Sequence, residues 1–166
     1  MRSKRVLFVV SAGMLGFTCS AGATPASSSA GQAVHLLVGT YNCVNRQSTG
    51  QKWRFTSVND VFGAWLRVHV TYPPQNGTTG DVATTFVGYD PGEKRWNIVG
   101  VDTDGSYFTR SSHSATFNGS QWQDEYPQDG GRAVVRTFGS SRYTFDLTMP
   151  SAKGAPIESH VTCTHV

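Results

Sequence analysis

The chain has 166 residues, with 14 Lys plus Arg against 11 Asp plus Glu, 18 Gly, 3 Cys, 38% hydrophobic residues and 11% aromatic ones. That length suits one domain of ordinary size. A charged fraction of only 15%, beside abundant Gly, Thr, Val and aromatics, excludes a helical bundle, a coiled coil and a charged disordered tail.

The N-terminus reads as an export signal over residues 1–23: Arg2, Lys4 and Arg5 form a positive start, residues 6–17 an apolar stretch, and Ala21, Gly22 and Ala23 a small-residue cleavage site. The apolar run is shorter than the roughly 18 residues that span a bilayer. The mature chain is therefore expected to be secreted or periplasmic, with no stable membrane insertion after cleavage. Residues 24–166 hold 11 basic and 11 acidic residues, so the sequence pI of 8.9 belongs to the signal. A formally neutral domain whose basic residues form no run longer than two lacks the electrostatic footprint of a nucleic-acid binder.

Residues 24–33 are small, polar and unpatterned, as a flexible leader is, and the folded domain is placed at 34–166. No stretch of it has helical periodicity. Strands are predicted in chain order at about 36–46, 51–58, 65–72, 81–89, 95–103, 106–114, 116–124, 132–139, 142–149 and 156–165. The clearest alternation sets Leu66, Val68, Val70 and Tyr72 against Trp65, Arg67, His69 and Thr71. An equally regular one sets Tyr143, Phe145, Leu147 and Met149 against Arg142, Thr144, Asp146 and Thr148. Between the strands, Asn76-Gly77, Asp104-Gly105, Asn118-Gly119 and Asp129-Gly130 supply residues that tolerate positive φ, as tight hairpins require. Sequential strands are thus expected to be antiparallel neighbours. Asn76 and Asn118 also head glycosylation acceptor patterns, which the turns already explain.

Cys19 leaves with the signal, and the two cysteines that remain, Cys43 and Cys163, are expected to form a disulfide in an oxidising compartment. Cys43 lies in the first predicted strand and Cys163 in the last, so their bond brings the two ends of the meander together. The expectation is an all-β fold, a single antiparallel up-and-down β-barrel of about 8–10 strands, with a β-sandwich as the alternative.

Several segments bear a family likeness. His35-Leu-Leu-Val-Gly-Thr-Tyr-Asn42 resembles the opening Gly-x-Trp strand of lipocalin-like (calycin) barrels, with Tyr41 where the Trp usually stands. Residues 59–66 and 88–105 are similar to segments of a family of uncharacterised secreted bacterial lipocalin-like proteins. The resemblance implies a cup open at one end, which in calycins often holds a small hydrophobic molecule. Some neighbouring barrel families bind haem through a histidine near the C-terminus, which makes His160 and His165 weak haem-ligand candidates here.

The leading expectation is therefore a barrel that binds a small hydrophobic or amphiphilic ligand without transforming it. A filled-core structural or protein-interaction barrel and a haem-binding barrel are the alternatives. Candidate ligand-binding residues are Trp53, Phe55, Phe86 and Tyr143, by position, and Arg67 and His69, whose guanidinium and imidazole could fix a carboxylate if their strand face points inward. An outward polar face is the blander reading of Arg67 and His69, because Leu66, Val68, Val70 and Tyr72 form the better core set. His160, Cys163 and His165 do not share a strand face, so no metal site and no cofactor are assigned. No nucleophile elbow, helix-borne His pair, Walker loop or dinucleotide fingerprint is present. Asp102 with Asp104, and Asp124 with Glu125, are carboxylate pairs that solvated turns explain, so catalytic residues are given as none.

Overall fold

A computed structural model describes residues 33–127, 130–151 and 154–166. The predicted signal 1–23, and the leader except Ala33, lie outside the described residues. Ten strands form among them: β1 (Gly39–Gln47), β2 (Lys52–Phe62), β3 (Trp65–Tyr72), β4 (Asp81–Asp90), β5 (Arg95–Asp102), β6 (Tyr107–Ser112), β7 (Gln121–Tyr126), β8 (Arg132–Phe138), β9 (Arg142–Met149) and β10 (Ile157–His165). Each pairs antiparallel with its successor. β1 then pairs with β10, from Tyr41 opposite His165 to Gln47 opposite Ser159, and the sheet closes into an up-and-down barrel. Closure leaves no free edge and decides against the two-sheet sandwich. Cys43 sits directly opposite Cys163 in that closing seam, and the two are disulfide-bonded with their Cα atoms 4.1 Å apart.

Two predicted strands start later than their patterns suggest. Residues 33–35 form a helical turn, so β1 begins at Gly39 rather than near 36. Val34 and Leu37, three residues apart on that turn, both reach the core, at 3% and 5% exposure. A strand would have set them on opposite faces. Likewise β7 begins at Gln121 rather than near 116, because the 113–120 loop turns Phe117 into the core instead of pairing it with a neighbour. The expected hairpin chemistry is in place at Asn76-Gly77, where φ is 50° and 82°.

The up-and-down path sorts the connections between two ends. Residues 33–38, the connections 63–64, 91–94, 113–120 and 139–141, and the C-terminus share one end. That end is plugged. Trp96, Phe117 and Trp122 stack edge to face there, with centroids 5.0 and 5.8 Å apart, and pack with Val34, Leu37, Leu66, Val87 and Ala133. The leading segment is tied down by Asn59, whose Nδ2 donates to the Leu37 carbonyl at 2.9 Å while its Oδ1 accepts from Ser57 Oγ at 2.6 Å. A second cluster of Tyr41, Cys43, Phe55, Val161 and Cys163 surrounds the disulfide.

Candidate functional site

Strand parity identifies the side chains that face the lumen. Cys43, Phe55, Leu66, Val87, Trp96, Trp122, Ala133 and Val161 are buried, so residues two apart from them on the same strands share their face. At the plugged end Leu66, Val87, Trp96, Trp122 and Ala133 of that face pack together. Elsewhere Val68, Val70, Ile98, Phe108, Phe145, Leu147 and Met149 keep partial exposure although they point inward. Val68, Ile98 and Leu147 touch the plug cluster and Val70, Phe145 and Leu147 the disulfide cluster, so this apolar wall is covered only in part, as the wall of a lumen is and that of a solid core is not.

Polar groups interrupt this wall, among them two clusters. On β6 and β7, Arg110 and Asp124 stand directly opposite each other and form an ion pair in which the carboxylate side chain is only 9% exposed. The Arg110 guanidinium lies 5.4 Å from the Phe108 ring centroid, and Phe108 lies across Gly100 of β5, where any Cβ would overlap the ring. Glycine at 100 lets the cation–π pair lie flat against the wall. On the other side, β1, β2 and β10 present Asn45, Trp53 and Ser159. Their Oδ1, Nε1 and Oγ atoms are buried and have no hydrogen-bond partner.

Near the unplugged end, burial pushes the Asp102 carboxyl above its ordinary value of 3.8, and the charges of Asp81 and Asp104 add to the rise against the opposing Ser106 hydroxyl, 3.2 Å away. Burial, with Asp102 and Asp81, also pushes the Tyr72 phenol up to about 12. A carboxyl whose folded pKa is raised contributes stability that is complete below the unfolded pKa and is lost as pH rises through the folded pKa. Asp102→Asn should therefore raise the unfolding midpoint at pH 7 and lose that advantage below about pH 3.8. Thermal melts of both proteins across that range check the sign, and an equal gain at both ends of the range would contradict it.

Of the residues singled out from sequence, Trp53, Phe55 and Tyr143 face the lumen. Tyr143 stacks edge-on to Tyr41 at 5.0 Å, and its hydroxyl lies 4.0 Å from Cys43 Sγ. Arg67, His69 and Phe86 lie on the outer surface. Arg67 pairs with Asp60 and covers Phe62 at 5.9 Å, Phe86 meets the same Phe62 ring at 5.5 Å, and His69 contacts Thr84 at 3.1 Å. His160 is also outside, with Nδ1 2.6 Å from Asp146, which also accepts from Arg136 at 2.7 Å. His165 packs at the plugged rim, edge-on to Tyr41 at 5.1 Å. Asn45, Ser159, Arg110 and Asp124 were not among the candidates. The signal that points to the first two is their even spacing from Cys43 and Cys163.

Two concavities lie along the wall. One of about 970 Å³ follows β6, β7 and β8 and draws its lining from both faces, including Ser112, Trp122, Asp124 and Ala133 of the inner one. It sits where β7 and β8 pair only from Gln121 opposite Val134 to Gln123 opposite Arg132. The other, of about 400 Å³, lies over β8, β9, β10 and β1 among Arg46, Arg132, Arg136, Asp146, Glu158 and His160.

These features define the class of molecule: a closed antiparallel barrel, plugged at one end, with a part-polar lumen. No protein-family model and no curated protein matches the chain. Among solved structures it is similar to a redesigned β-barrel, with 13% identity, a TM-score of 0.48, and coverage of 81% of this chain and 95% of the other. It is also similar to EF1p2_mFAP2b bound to DFHBI, with 13% identity, a TM-score of 0.40, and coverage of 83% and 100%.

Proposed function

We propose that the chain is an exported, lipocalin-like carrier that holds one small apolar or amphiphilic molecule in its lumen without transforming it. The observation that carries this reading is the inner wall of Val70, Ile98, Phe108, Phe145, Leu147 and Met149, which keeps partial exposure although Val70, Ile98, Phe145 and Leu147 also touch the two core clusters, since a barrel filled by its own side chains would bury all of them. The concavity of about 970 Å³ that reaches inner-face residues between β6 and β8 lies within the usual size range of small-molecule sites. Export is supported by the charged and apolar pattern of residues 1–23 and by a disulfide of the kind that oxidising compartments preserve. Among the described residues no helix is long and apolar enough to cross a membrane.

Native mass spectrometry of protein purified from its own host tests the proposal. The expected spectrum carries an added small-molecule mass that organic extraction removes, after which the protein enhances Nile red fluorescence at one site. A bare polypeptide mass together with no Nile red response would overturn it.

A further inference from the structure

Asn45 and Trp53 are direct cross-strand partners in the β1–β2 pair. Ser159 lies diagonally across the β1–β10 seam from Asn45, since Val161 faces Asn45 and Ser159 faces Gln47. Direct partners on one sheet face stand about 5 Å apart and diagonal ones about 7–8 Å, so the three side chains share one patch of the inner wall. Asn45 is 9% exposed and Ser159 3%. Asn45 Oδ1, Trp53 Nε1 and Ser159 Oγ nevertheless have no partner. Native proteins leave few buried polar atoms unpaired, and each costs free energy that an apolar replacement would avoid. Three on one patch that faces a lumen call for an occupant.

We infer that Asn45, Trp53 and Ser159 form a polar anchor that receives the head group of a neutral amphiphile bearing a hydroxyl or a carboxamide. The inference rests on the lumen reading above and specifies the ligand for that site. The chemistry follows from the donor set. Asn45 Oδ1 only accepts, the Trp53 indole N–H only donates, and the Ser159 hydroxyl does either. An occupant must therefore bring at least one donor and one acceptor together, as an alcohol or a primary amide does. A carboxylate offers Asn45 Oδ1 no proton, and an ammonium offers the Trp53 N–H no acceptor. The wall across the lumen does not correct either mismatch. Its Arg110 is already neutralised by Asp124, so a carboxylate head finds no unpaired guanidinium there, and an ammonium that turned to the inner-face carboxylates of Asp102 and Asp81 would leave the three anchor atoms unpaired.

The test titrates the disulfide-intact protein at pH 7.5 with decanol, decanamide, decanoate and decylamine by displacement of Nile red, and repeats the series with Ser159→Ala and Trp53→Phe. Decanol and decanamide should bind at least tenfold more tightly than the two ions, and each variant should weaken them by about five- to tenfold, the usual effect of one hydrogen bond. The free variants should melt at the same temperature as the parent or higher, because each loses an unsatisfied polar atom. Preferred binding of the ions, or variants that bind all four probes like the parent, would overturn the anchor and leave the lumen reading standing. A fall of several degrees in the free Ser159→Ala midpoint would overturn it too, since that atom would then already be hydrogen-bonded. Failure of all four probes and of Nile red would remove the lumen reading and the anchor with it.

Discussion

Reduction of the Cys43–Cys163 bond is expected to lower the thermal unfolding midpoint by on the order of 15 °C. The bond joins residues 120 apart in sequence, so it removes from the unfolded chain nearly all conformations in which the first and last strands are distant. The loop-closure argument values such a long loop at about 4–5 kcal/mol, and a domain of this size shifts its midpoint by about 3–4 °C per kcal/mol. The native sheet itself should survive reduction. The β1–β10 ladder runs from Tyr41 to Gln47 on one strand and from Ser159 to His165 on the other, and its backbone hydrogen bonds do not need the sulfurs. Far-UV circular dichroism of the reduced protein at 20 °C should thus match the oxidised spectrum while the midpoint falls. A reduced sample with verified free thiols and an unchanged midpoint would contradict the entropic role of the bond.

Truncation at the plugged end should have a comparable effect. Trp96 is 1% exposed and touches Tyr89 and Phe117 edge to face, at 5.2 and 5.0 Å. Trp96→Ala should cost about 3–5 kcal/mol, since the cavity left among rigid aromatic neighbours cannot collapse. Phe108→Ala provides the contrast. That ring is large too, but it points into the lumen and keeps partial exposure, so its loss should cost only about 1–2 kcal/mol. Urea unfolding of the two variants measures the difference directly. Equal losses would mean that the wall at Phe108 is as tightly packed as the plug, and the lumen would not exist.

The sequence makes the barrel legible for a specific reason. Period-two alternation at Leu66–Tyr72 and Tyr143–Met149 states that each strand has two unlike faces, and the turn residues state that neighbours are antiparallel. Neither says that the sheet closes; that comes from two cysteines at opposite ends of the domain, whose direct opposition in the β1–β10 ladder follows. The inner and outer faces of β3 separate as side-chain chemistry would have it. Leu66 is fully buried, whereas Arg67 stays in reach of water beside Asp60, because an unpaired guanidinium inside the wall would be costly to desolvate.

Other features escape a pattern-based reading. The sequence around Phe117 alternates well enough to resemble a strand, and only the space between Trp96 and Trp122 draws that ring inward. Asn45 and Ser159 escape for the opposite reason. Short polar residues are ordinarily assigned to solvent, and their inward orientation becomes visible only by stepping two residues from Cys43 and four from Cys163. Arg110 and Asp124 stand 14 residues apart in sequence, and nothing local reveals that a bulge at Thr109/Arg110 sets the register that pairs them.

A crystal structure of the protein grown with decanamide tests the open lumen most directly. The amide should lie within hydrogen-bonding distance of Asn45, Trp53 and Ser159, with its alkyl chain running along Phe108, Phe145 and Leu147. A lumen closed by those same side chains, with the additive only on the outer wall or absent, would contradict it.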